Sequence, residues 1–123
     1  EEHNTVQIAS REPDLDSISY NEINEIAPKV DILINTTPIG MPPFEEESLN
    51  IPFNQFNNLE VFFNLGYNVK ENFTSKFSED VIKIDGIKML ITQAVASFNI
   101  WADSEIKLED VYHNITERLK NEN

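Results

Sequence analysis

The chain has 123 residues and 14.2 kDa, the size of one domain, and its 40% hydrophobic and 10% aromatic content is that of a globular chain rather than a disordered one. Nine Lys and Arg stand against 22 Asp and Glu, a formal charge of −13 that offers no basic footprint for nucleic acid and is repelled by an anionic membrane surface. With no cysteine, a disulfide framework, a thiolate zinc site and a cysteine nucleophile are excluded.

The longest apolar run is far below the roughly 18 residues of a membrane span, and no charged then apolar leader opens the chain. Sequons at Asn35, Asn72 and Asn114 are expected by chance in a chain this rich in Asn, and the bland reading is a cytoplasmic protein. Glu1-Glu2-His3, without an initiator methionine and followed almost at once by apolar residues, looks like a start inside a larger protein.

In chain order, residues 5–9 (TVQIA) read as a short strand, ended by a loop through Pro13, and residues 17–20 as a second. Asn21 caps a brief helix to Ala27, stopped by Pro28. Residues 30–36 (VDILINT) are nearly continuous and β-branched, the pattern of a strand buried on both faces of a parallel sheet. A long loop follows through Pro38, Gly40, Pro42 and Pro43, the acidic Glu45-Glu46-Glu47 and an Asn-rich stretch to Asn58. Residues 61–65 (VFFNL) form a buried strand ending at Gly66, residues 71–77 a short helix, and residues 81–84 a further strand.

From Ile87 onward, Leu90, Ile91, Ala94, Val95, Phe98 and Trp101 hold the spacing of one helical face, behind a capping Asp85 and a flexible Gly86. A last helix carries Leu108, Val111, Tyr112, Ile115 and Leu119 on one stripe. Strands alternating with helices predict an α/β fold with a parallel sheet flanked by helices.

With only Gly40, Gly66 and Gly86, the chain holds neither a G-x-G-x-x-G loop nor a P-loop. His3 and His113 stand alone without ligand spacing, so no metal site is expected, and most carboxylates solvate faces. What remains are four strand ends, Ser10-Arg11, Asn35-Thr36-Thr37, Leu65-Gly66-Tyr67 and Asp85-Gly86. In open parallel sheets, ligands lie in the crevice outside the carboxyl ends of strands. The competing reading is that Thr and Gly there merely terminate strands.

Residues 31–41 (DILINTTPIGM) closely resemble the D-x-x-I-N-x-T-x-x-G-M signature of shikimate dehydrogenases, and residues 84–94 (IDGIKMLITQA) that family's D-G-x-x-M-L-x-x-Q-A helix start. Between them, Asn64-Leu65-Gly66-Tyr67-Asn68 sits where the family has a tyrosine-bearing strand exit, and the resemblance covers residues 5 to about 120. It implies the second, Rossmann-like domain of an enzyme that reduces 3-dehydroshikimate to shikimate with NADPH, in aromatic amino-acid and chorismate biosynthesis. Residues 1–123 would be most of that domain, without its first strand and glycine-rich loop. The family's catalytic Lys and Asp, and most substrate contacts, lie in an N-terminal substrate domain, so no catalytic residue is assigned and the chain alone is expected to be inactive.

By the same resemblance, Ser10 and Arg11 match the pair that holds the adenosine 2′-phosphate, for which a planar guanidinium is suited. Thr37 matches a cofactor-lining position, Leu65, Gly86 and Met89 match positions around the nicotinamide, and Tyr67 and Gln93 match side chains lent to the substrate. Glu12 stands where the family has Thr or Ser, and its carboxylate would repel a 2′-phosphate, which leaves NAD as an alternative to NADP and quinate as an alternative to shikimate. Asn64 stands in place of an Asp and Lys88 in place of a Gly. A noncatalytic interaction domain of the same fold is the rival from another class, and a homo-oligomer is allowed.

In strand order 3-2-1-4-5-6 the first strand is central, and its loss strands the first two elements from the rest. One of three outcomes is expected, the first two being favoured: residues 5–9 pair directly with 30–36, another chain supplies the strand, or the first strands are poorly ordered.

Overall fold

The computed structural model describes residues 5–67 and 73–121. His3, Asn68, Glu71 and Asn72 lie outside the described residues, as do the side chains of Leu119 and Lys120.

Among the described residues two parallel sheets form, and they are separate. Strand β1 (Ile8–Ser10) pairs with β2 (Ser17–Ser19) in the register Ile8 to Ser17 and Ser10 to Ser19. Strands β3 (Ile32–Asn35), β4 (Val61–Asn64) and β5 (Ile82–Ile84) make the second sheet in that order. The direct pairing of β1 with β3 does not form, and β1 and β2 are a regular parallel pair rather than a disordered arm. This is the pattern left when the central strand of the order 3-2-1-4-5-6 is taken out. Side chains, not backbone, join the halves: Ile18 and Tyr20 pack against the core of the larger sheet.

That core lies on one face of β3–β4–β5. Phe62 and Phe73 are fully buried, joined by Ala27, Phe77 and Val81, and the ring of Phe77 meets Phe53, Phe56 and Phe62 at centroid distances of 5.4, 6.1 and 4.7 Å. The loop after β3 belongs to this core, because Ile39, Leu49, Phe56 and Leu59 are all buried. A long loop with its own apolar anchors is a packed element rather than a tether.

The opposite face of the sheet is open. The register aligns Ile32, Val61 and Ile82 in one row and Ile34, Phe63 and Ile84 in the next. Ile32, Ile34 and Ile82 are 59%, 53% and 61% exposed, so β3 is not covered on both faces as its sequence predicts. The apolar run of β3 is written for two covers, and among the described residues it finds one.

Other elements shift for local reasons. The brief helix is a single α-turn, α1 (Ile23–Ile26), between 3₁₀ turns at Tyr20–Glu22 and Ala27–Lys29, the latter accommodating Pro28. The cap sits at Ser19, before the first 3₁₀ turn, rather than at Asn21: the Glu22 carboxylate accepts from the Ser19 N–H at 2.9 Å and from its hydroxyl at 2.7 Å. Of the helix expected over residues 71–77, a 3₁₀ turn at Phe73–Lys76 is described.

Helix α2 (Gly86–Ala102) starts as its sequence requires, with the Asp85 carboxylate accepting from the Lys88 N–H at 2.9 Å. Asp103 at φ 47° ends it, and Asn99 organises the turn by accepting from the Ile106 N–H and donating to the Ile106 carbonyl, each at 2.9 Å. Helix α3 (Leu108–Asn121) packs back on α2. The apolar face expected on α2 is only partly used: Ile91 is buried, while Leu90, Phe98 and Trp101 are exposed, Trp101 at 85%. No helix among the described residues is long and apolar enough to cross a membrane.

Candidate functional site

Each of the four strand ends places its residues at the carboxyl end of a parallel strand, where backbone donors and acceptors no longer pair along the ladder. At β1, Ser10 closes a tight turn on itself. Its hydroxyl accepts from the Glu12 N–H at 3.2 Å and donates to the Glu12 carbonyl at 3.1 Å. This turns Arg11 toward the loop that follows β3, where its Nη1 donates to Glu47 Oε2 at 3.1 Å. A cavity of about 470 Å³ opens here, lined by Ala9, Ser10, Arg11, Glu12, Tyr20, Thr37 and Pro38. Ser10, Arg11 and Thr37, far apart in sequence, therefore share one crevice between the two sheets.

Thr37 is held from beneath. Asn35, at the end of β3, accepts from the Thr37 N–H at 3.1 Å and from its hydroxyl at 2.8 Å through one side-chain oxygen. The Asn35 amide nitrogen donates to Asn64 Oδ1 at 2.8 Å, directly across the register of β3 and β4. Gly40 follows at φ 85°, a backbone conformation that favours glycine, and its N–H donates to the Phe44 carbonyl at 2.9 Å.

Leu65 and Gly66 leave β4 against the start of α2. A Cβ on Gly86 would press into the Leu65 carbonyl and stand 2.8 Å from the Gly66 carbonyl oxygen, so only glycine allows this approach. Leu65 and Gly86, predicted to line one site, are thus in backbone contact. Beyond them a second cavity of about 350 Å³ is lined by Phe63, Ile84, Lys88, Met89, Thr92, Gln93 and Ala96. Met89 and Gln93 both line it, whereas Tyr67, 47% exposed, is among the lining residues of neither cavity.

Glu47 and Tyr20 are not among the site residues that the sequence indicates, and Asn35 is marked there only as part of a strand end. Glu47 carries no local signal, since it reaches Arg11 across 36 residues of chain. Asn35 and Asn64 do carry one: two amides ending two apolar strands are a buried polar pair in waiting, once the strands are aligned.

A parallel α/β sheet flanked by helices, with polar and glycine residues gathered into crevices at the strand carboxyl ends, defines a Rossmann-like domain. No protein-family model matches the chain. Among curated proteins, it is 38% identical over 98 residues to a shikimate dehydrogenase (NADP(+)) of Methanococcus maripaludis, covering 78% of this chain and 34% of that protein. It is 30% identical over 108 residues to another from Prochlorococcus marinus, covering 82% of this chain and 37% of that protein. Among solved structures, a chorismate mutase/shikimate 5-dehydrogenase fusion protein from Clostridium acetobutylicum superposes with a TM-score of 0.70 at 29% identity, over 94% of this chain and 45% of that one. A shikimate dehydrogenase in complex with NADP+ superposes at 0.57 with 32% identity, over 72% of this chain and 32% of that one.

The chain belongs to the shikimate dehydrogenase family. It spans little more than a third of the length of the curated relatives it matches.

Proposed function

We propose that this chain is the nucleotide-binding portion of a shikimate dehydrogenase, an enzyme that interconverts 3-dehydroshikimate and shikimate with a nicotinamide dinucleotide. The observation that carries the reading is the convergence of Ser10, Arg11 and Thr37 on one crevice, with the Leu65–Gly86 contact leading to Met89 and Gln93 in the next. The strand ends supply a guanidinium suited to a phosphate, a hydroxyl at Thr37, and a backbone ledge at Leu65 and Gly66 that a flat ring can approach. The Gln93 amide offers a donor and an acceptor to neighbouring substrate hydroxyls, and Tyr67, exposed at the exit of β4, is the second side chain that the family resemblance assigns to the substrate.

When bound, the dinucleotide would give or take the hydride. Ser10 and Arg11 would hold its adenosine end, Thr37 would line it, and Leu65, Gly86 and Met89 would surround its nicotinamide. The split sheet supports a further part of the reading, that a parallel strand from outside residues 5–121 completes the fold between β1 and β3, with the substrate-binding and proton-transfer groups on another domain. A lone nucleotide-binding portion holds no acid or base over the reacting carbon, so it is inactive by itself.

The test is shikimate-dependent NADP reduction by the isolated chain and by the chain combined with a family substrate domain extended to include the first strand and glycine-rich loop. No turnover alone and turnover on combination is the expected pair of results. Turnover by the isolated chain, or none from the assembled enzyme, refutes the reading.

A further inference from the structure

The Arg11–Glu47 pair has a consequence for what the first crevice selects. Among the described residues lining that crevice, Arg11 is the sole cation, and it shares the wall with the Glu12 carboxylate. Its guanidinium is already engaged, Nη1 to Glu47 Oε2 at 3.1 Å. The Ser10 hydroxyl, the other group suited to a phosphate at this strand end, is turned onto the Glu12 backbone.

Glu47 is not a side chain that drifts in from solvent. Its loop is pinned on both sides by buried Ile39 and Leu49, and its own N–H donates to the Phe44 carbonyl at 3.2 Å within a chain of turns running back to Gly40. The packed loop thus delivers a carboxylate to the one guanidinium of the crevice. An entering phosphate dianion must displace that carboxylate and then sit beside Glu12, whereas a ribose with free hydroxyls need do neither.

We propose that Glu47 is a specificity-determining residue of this crevice: it occupies Arg11 as an internal substitute for a ligand phosphate and weakens selection for a dinucleotide that carries a phosphate on its adenosine ribose. The proposal rests on the dinucleotide reading above and adds the element of the fold that sets the choice between the phosphorylated and unphosphorylated forms. The pair is half exposed, with 56% and 42% of the two side chains open to solvent, so its removal changes affinity by a modest factor rather than abolishing or creating binding.

The test titrates the 123-residue chain and its Glu47→Gln variant with adenosine 2′-monophosphate, with adenosine as control, following the guanidinium resonances of Arg11 by NMR. The expected result is about three- to tenfold tighter binding of the 2′-phosphate by the variant, unchanged binding of adenosine, and loss of the gain in the Glu47→Gln/Arg11→Ala double variant. Equal 2′-phosphate affinity in the two proteins overturns the proposal, and so does an equal gain for adenosine. NAD titrated into both proteins after they are combined with the substrate domain, first strand and glycine-rich loop separates the two readings. If it binds neither combined protein, the dinucleotide reading fails, while the 2′-phosphate ratio still decides the role of Glu47.

Discussion

Asn35 and Asn64 face each other across β3 and β4, each 5% exposed, with the Asn35 amide nitrogen donating to Asn64 Oδ1 at 2.8 Å. The remaining oxygen of Asn35 is shared by the N–H and hydroxyl of Thr37, so one buried amide ties two strand ends to a crevice residue. Replacing Asn35 by Leu fills the volume but orphans the Asn64 oxygen and both Thr37 donors. A loss of about 2–3 kcal/mol is expected, read as a lower urea midpoint at unchanged slope. Asn64→Asp keeps the acceptor for the Asn35 amide but sets a buried carboxylate oxygen against the Gly66 carbonyl to which the Asn64 amide donates, so it is expected to destabilise as well, by about 1–3 kcal/mol at neutral pH. Equal midpoints for Asn35→Leu and the parent would show that the amide ladder contributes nothing.

Gly86 inverts the usual rule for its residue type. In a helix, Gly to Ala ordinarily stabilises by about 1 kcal/mol, because alanine has the higher helix propensity. Here the new methyl would meet the Leu65 and Gly66 carbonyls, which are backbone atoms that cannot rotate away. Gly86→Ala is expected to destabilise by about 2–3 kcal/mol and to shift the amide resonances of Leu65 and Gly66. A thermal midpoint at or above that of the parent would mean the helix start can slide off β4.

Much of this was legible in the chain itself. The strand ends were marked by β-branched runs breaking into Thr, Gly or Asp, and α2 by its Asp85–Gly86 start, because those signals are local and their geometry is short-range. The Arg11–Glu47 contact was not legible, since it depends on how a loop anchored at Ile39 and Leu49 folds back over β1. The burial of β3 was misread for a different reason. Its sequence records an environment with both faces covered, and the split between β1 and β3 leaves that environment half built. The cap at Ser19 was displaced from Asn21 because Glu22, three residues on, closes a capping box that an Asn at position 21 has no partner to match.

Two exposed carboxylates carry a pH signature. The Ser19 hydroxyl and N–H hold the Glu22 carboxyl below its ordinary value, and the Ser17 hydroxyl, then the Asp16 N–H, do the same for Asp14. A carboxyl depressed in the folded state binds its proton more readily when unfolded. The stabilisation is therefore complete above the ordinary carboxylate range and is lost as pH falls through it to the lowered folded values. Side-chain carboxyl NMR titrations should place both midpoints below those of model peptides, and Ser19→Ala and Ser17→Ala should raise the Glu22 and Asp14 midpoints respectively. A midpoint that ignores the serine substitution would rule out the hydroxyl as its cause.

The bare sheet face yields the last prediction. Ile32, Ile34 and Ile82 stand together on two rows of β3 and β5 with α2 reaching only the Phe63 and Ile84 side, and such a patch is larger than isolated exposed residues require. The chain is expected to bind an apolar dye such as ANS while keeping cooperative unfolding, which separates a dry folded surface from a molten state. Ile34→Lys should cut the dye signal several-fold and change stability by less than about 1 kcal/mol, since more than half of its surface is already open and the lysine stem can cover the rest. A strand–helix segment that completes the sheet between β1 and β3 should quench the signal in the parent and bind poorly to Ile34→Lys. If the substitution instead destabilises the isolated chain by several kcal/mol, Ile34 is already covered and the open-face account is wrong.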